Sequence, residues 1–189
     1  MNTEIMKAFL SEETIKTHLE YVRQTRLKYS IYEKSVPEIK GATLRKIYGS
    51  KFSEQVKKEI LPYIISIKSH ELYFSSFCER PRPCPEIKEY YSSAAAFLYE
   101  VREAALNIDH GFLYIIRDRS GKPVFTSDPH PQGILRNSPP TLAIDLSEHA
   151  YFSDYSFDKR RYLAAMLPRL DLSEIFSGEN SKIYLDTPI

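Results

Sequence analysis

The chain has 189 residues, 42% of them apolar, with 26 Lys and Arg against 25 Asp and Glu for a net charge of +1. That length suits one domain or two small halves sharing a core, and the near-neutral balance excludes a protein that tracks nucleic-acid phosphates. The longest apolar runs (94–98 and 142–146) fall far short of the roughly 20 residues a membrane span needs, and the first residues lack the basic start and apolar run of a secretory signal. Two cysteines are too few for a disulfide framework. The composition predicts a soluble, cytoplasmic globular protein with a heavy aromatic load, 14 Tyr and 10 Phe, and no Trp.

Ser11 followed by Glu12 and Glu13 is a helix start: a capping hydroxyl, then negative charge where the helix dipole favours it. Ile15, His18, Leu19 and Val22 recur at helical spacing and predict a first helix to about Tyr32. The stretch 35–49, with Pro37, Gly41 and Gly49, reads as a connection holding at most a short helix. A second helix starts near Ser53 and is expected to kink or restart at Pro62, where a backbone donor is lost. Beyond it Ile67, His70, Phe74 and Phe77 form one stripe, so the first 78 residues read as a helical hairpin. Cys78 to Pro85, with three prolines in eight residues, is the expected boundary. It divides a helical hairpin domain, 1–80, from an α/β domain, 86–189.

Pro85 and Glu86 are expected to open a third helix that runs to about Asn107. The period then changes to two: Gly111 to Arg117, a turn at Arg119-Ser120-Gly121, and Val124 to Ser127 predict a hairpin. After a proline-rich loop, Thr141 to Asp145 reads as a third strand. Helix is expected again around 147–151 and 157–167. The fold class is therefore α+β, with an N-terminal helical hairpin followed by an α/β half holding a three-stranded antiparallel sheet.

His18 and His70 each sit on the apolar stripe of a hairpin helix. One such ring is most often hydrogen-bonded core filler, but two on facing helices can aim their nitrogens at one point. Asp145, at the end of an apolar strand, is followed four residues later by His149. A buried carboxylate must be paired or bind a metal, because desolvation costs several kcal/mol or more. Asp145 alone reads as the cap of a short helix with His149 paired to it. Together with His18 and His70, a site of three histidines and one carboxylate is the more economical account. Such N/O donors suit iron, manganese or zinc.

These residues carry a resemblance. Ser11 to His18 (SEETIKTH), His70 to Phe74 (HELYF), Gly111 to Ile116 (GFLYII) and above all Asp145 to Phe152 (DLSEHAYF) resemble the conserved blocks of iron/manganese superoxide dismutases. The last follows the family signature Asp-x-Trp-Glu-His-Ala-Tyr-Tyr. The resemblance implies one iron or manganese ion per subunit, held by His18, His70, Asp145 and His149, and the disproportionation of superoxide. It also implies a homodimer, with Glu148 reaching His149 of the other subunit.

Several positions depart from the family pattern. The gateway histidine and tyrosine fall on Val22 and Arg26, while Tyr29 lies too far along the helix to substitute. The signature's Trp is Ser147 and its second Tyr is Phe152. The glutamine that hydrogen-bonds the bound solvent falls on Ser66 or, by the other family spacing, on His130. His130 is either that donor or a surface loop histidine, and Arg26 either attracts an anion or is an ordinary solvated residue. His110 is given no chemical role. Cys78 and Cys84 either form a redox-sensitive bridge or are free thiols. The altered cavity leaves two alternatives to superoxide: an oxygen- or peroxide-activating metalloenzyme acting on a small organic molecule, or a non-catalytic assembly module. No nucleic-acid or membrane partner is expected.

Overall fold

The computed structural model describes residues 3–49, 52–127 and 138–189. Its first half is a pair of long helices, α1 (Glu12–Ser35) and α3 (Glu54–Ser75), joined through the short α2 (Leu44–Gly49). Each long helix starts at the serine that the sequence suggests: Ser11 accepts from the Thr14 amide at 3.2 Å, and Ser53 from Val56 at 3.3 Å. One face of α1 buries Thr14, Ile15, His18, Val22, Thr25 and Tyr29, a spacing of three and four residues that fixes which side meets α3. The facing stripe of α3 includes Ile60, Ile64, Ile67, His70 and Phe74. Thus both histidines enter the seam between the two helices.

The second helix does not restart at Pro62. It continues through the proline to Ser75, its remaining turns held by the packing of Ile60, Ile64 and Ile67 at the core. The third long helix begins later than expected. Pro85–Glu89 forms only a 3-10 turn, and α4 is Ala94–Leu106, opened by Ser93, whose hydroxyl accepts from the Ala96 amide at 3.0 Å. A proline at the first position suits either kind of turn, so it does not by itself set the helix start.

Three antiparallel strands follow: β1 (Phe112–Arg117), β2 (Pro123–Thr126) and β3 (Leu142–Asp145), in the order β2-β1-β3. The central β1 is an unbroken apolar run because both its faces are covered; Leu113, Tyr114, Ile115 and Ile116 are all buried. Its register sets Phe112 opposite Asp145, which brings the strand's start to the end of β3. Gly111, at φ +93°, makes that approach possible and accepts the Leu146 amide at 2.7 Å. The chain ends in α5 (Glu148–Tyr155), α6 (Lys159–Met166), α7 (Glu174–Ser177) and α8 (Glu179–Asp186). This is the α+β arrangement, a helical first half followed by a three-stranded antiparallel sheet with helices. Among the described residues, no helix is long and apolar enough to cross a membrane.

The last residues return to the hairpin. Thr43 bridges to Pro188, and the Ile189 amide donates to Ala42. Lys68, fully buried on α3, donates to the Thr187 hydroxyl at 2.7 Å, the Pro188 carbonyl at 3.1 Å and the Glu71 carboxylate at 2.9 Å, so its ammonium is satisfied three times over. Glu71 also receives Arg26 from α1. Lys68→Ala should therefore lower unfolding stability by about 1–3 kcal/mol, since it takes the shared donor from the Thr187 hydroxyl and the Pro188 carbonyl, while Glu71 keeps Arg26. A urea midpoint equal to the wild type's would contradict this account of the C-terminal anchor.

Candidate metal centre

The fold brings His18 of α1, His70 of α3, Asp145 at the end of β3 and His149 of α5 to one point, with one donor atom from each lying within 4.8 Å of all the others. Asp145 Oδ2 is the hub. It stands 3.1 Å from His18 Nε2, 3.3 Å from His70 Nε2 and 3.2 Å from His149 Nε2, and the last two nitrogens are 3.2 Å apart. Ligand bonds of about 2.0–2.2 Å around one ion hold neighbouring donors about 2.8–3.8 Å apart, a range that contains the four distances above.

The unmet hydrogen-bonding capacity of the donors supports the same fit. His18 Nε2 and Asp145 Oδ2 lie 3.1 Å apart and fully buried, yet neither has a hydrogen-bond partner among the described residues. A buried pair left in this way is costly, unless a cation fills the space both atoms face. The donor set of three imidazoles and one carboxylate, without thiolate, suits iron, manganese or zinc.

Electrostatics keep the donors in their ligand forms. Burial alone would push the Asp145 carboxyl up, but the contacts of His149, His18 and His70 together hold it well below the usual carboxylate range. Burial pushes the His18 imidazole down, favouring the neutral ring that a metal requires. The His70 tautomer is set by its other nitrogen, since Nδ1–H donates to the Ser66 carbonyl at 2.6 Å and leaves the Nε2 lone pair facing the cluster. Asp145 Oδ1 accepts the Ser147 amide at 2.8 Å, which turns Oδ2 inward. A backbone amide does this, so the residue type at position 147 is immaterial to it.

Beneath the cluster, the Tyr162 hydroxyl donates to the Asp145 carbonyl at 3.1 Å and lies 2.9 Å from the Tyr73 hydroxyl. Burial raises both phenols, so they remain protonated. The His18 ring packs against Tyr73 and Phe74, with centroids 5.2 and 5.0 Å away, and Phe112 meets His70 edge-on at 5.0 Å. On the outer side, Tyr21 stacks on His149 with centroids 4.0 Å apart.

The remaining residues singled out by sequence are placed elsewhere. Arg26 forms an ion pair with Glu71 instead of projecting alone. Val22 is packed in the core, and Tyr29 donates to the Ile39 carbonyl, its phenol pushed up to about 12 by burial. Ser66 takes part through its carbonyl rather than its hydroxyl. Glu148 and His110 are exposed, and His130 lies outside the described residues. Cys78 and Cys84 are free thiols whose sulfurs face different carbonyls, those of Arg169 and Leu172.

The family model described as "Iron/manganese superoxide dismutases, C-terminal domain" matches residues 83–177, half of the chain. The chain belongs to the iron/manganese superoxide dismutase family. No curated protein matches it. The matched superoxide dismutase segment contains Asp145 and His149, whereas His18 and His70 lie before it, so the cluster joins the matched half to the hairpin.

Sequence reasoning overlooked Tyr21, although it lies three residues after His18 and therefore on the same side of a helix. It also overlooked Tyr73 and Tyr162, whose link across the molecule joins residues 89 positions apart and leaves no local signal. Tyr162→Phe should cost about 1–3 kcal/mol of stability, because it leaves the buried Tyr73 hydroxyl without its partner. An unfolding curve superimposable on the wild type's would contradict that reading.

Proposed function

We propose that the protein is a superoxide-disproportionating metalloenzyme with one iron or manganese ion in each subunit, held by His18, His70, Asp145 and His149. The convergence of three imidazole nitrogens on one buried carboxylate oxygen carries this reading. Family membership supplies the choice of reaction. When bound, such a metal would supply the one-electron redox chemistry that converts two superoxide ions and two protons into one dioxygen and one hydrogen peroxide.

The protein's own part is to bind, orient and exclude water. Asp145 brings the negative charge that offsets the cation, with Ser147 fixing which oxygen faces inward. His70 keeps its proton on Nδ1 against the Ser66 carbonyl, so that Nε2 is free as a donor. Tyr73, Phe74 and Phe112 wall the imidazoles with ring surface and keep bulk solvent from the inner side. Arg26, being tied to Glu71, contributes positive charge near the hairpin surface as half of an ion pair. In this reading it is a weak attractor of anions, and His130 remains the candidate hydrogen-bond donor to solvent at the centre.

The proposal extends to a homodimer in the cytoplasm. Glu148 is exposed next to His149 on α5, and Phe152 and Phe157 form an edge-to-face pair at 5.0 Å near the same helix, with Phe157 83% exposed. These residues offer an acidic group and apolar surface to a second copy.

Protein purified without added metal should contain close to one equivalent of iron or manganese and should consume superoxide faster than the free ion. Asp145→Ala should lose both properties. Metal bound without superoxide consumption would reject the reaction and leave the centre standing. Stoichiometric metal retained by Asp145→Ala would reject the centre itself.

A further inference from the structure

The four clustered side chains differ in their access to solvent. His18 and Asp145 are completely enclosed and the His70 side chain is 2% exposed, but that of His149 is 20% exposed. The way in from solvent therefore lies on the His149 side. Tyr21 occupies that side. Its ring lies nearly parallel to the His149 imidazole, 13° between planes and 4.0 Å between centroids. The same ring reaches the His70 imidazole at 5.4 Å.

Helix geometry explains why residue 21 can do this. Side chains on an α-helix lean towards its N-terminus, so Tyr21 folds back over the turn that carries His18, while its outer face stays in water. Tyr21 is 44% exposed, which fits a ring with one face on the cluster and the other on solvent. Its neighbour Val22 packs into the core instead. Thus one residue of α1 spans from the buried donors to the surface.

Resting on the metal-centre reading above, we propose that Tyr21 is a positioning residue that closes the solvent side of the centre. Its ring holds the His149 imidazole in the plane from which Nε2 reaches the shared point, and it slows exchange between the centre and solvent. The flat ring performs this work, and the phenolic hydroxyl is not needed for it.

Cobalt(II) is a suitable probe because its visible absorption reports ligand number and its departure can be timed. Wild type, Tyr21→Phe, Tyr21→Leu and Tyr21→Ala would be loaded with one equivalent of cobalt, then challenged with excess chelator. Tyr21→Phe should release cobalt at about the wild-type rate and keep its spectrum. Tyr21→Ala and Tyr21→Leu should release it at least about tenfold faster, with an altered visible band, while the melting curves of the metal-free proteins stay together. Tyr21→Leu retains apolar bulk on the helix and serves if the alanine variant folds poorly.

Equal release rates in all four proteins would overturn the role of Tyr21 and leave the centre intact. Faster release only in step with a lower metal-free melting temperature would also overturn it, since loss of fold would then be the cause. A wild-type protein that takes up no cobalt would overturn the metal-centre reading and the assignment of Tyr21 with it.

Discussion

Asp145 Oδ2 lies 3.1 to 3.3 Å from three imidazole nitrogens in a place closed to bulk solvent, and much of the architecture serves to keep it there. An unpaired carboxylate in such a position would be expelled or protonated, because the charged form loses its hydration. The three rings offset that loss and hold the group ionised. Each ring comes from a different helix and the carboxylate from a strand end, so the cluster exists only when hairpin, sheet and α5 are all in place.

Three of the four donors are fixed by short local devices. The capping serines start α1 and α3 in the register that turns His18 and His70 into the seam. Gly111 takes the positive φ with which the chain enters β1 beside the end of β3, and Ser147 pins one carboxylate oxygen by its amide. Tyr162 secures the Asp145 carbonyl from below. Several of these contacts use backbone atoms or ring surface, and the one at position 147 is made by the amide, whatever side chain stands there.

The helical pairing of His18 with His70 was legible because both fall on apolar stripes of period 3.6, and the strand character of 111–117 was legible from its uninterrupted apolar run. Asp145 and His149 were legible as a local pair four residues apart. Their meeting with the hairpin histidines was suggested by donor chemistry and family spacing, which no short window of sequence contains. Other features were not readable. The start of α4 at Ala94 depends on Ser93, whereas Pro85 is the more conspicuous start signal in the sequence. The passage of α3 through Pro62 depends on packing from elsewhere in the molecule. The anchoring of Thr187 and Pro188 by Lys68 joins residues 119 and 120 positions apart, and the lysine looks in sequence like any solvated helix residue.

X-ray absorption at the metal edge of protein loaded with manganese tests the central claim most directly. The account predicts a first shell of nitrogen and oxygen only, at about 2.0–2.2 Å, with the outer-ring scattering of three imidazoles. Scattering from sulfur, or from water oxygens without imidazole, would contradict it.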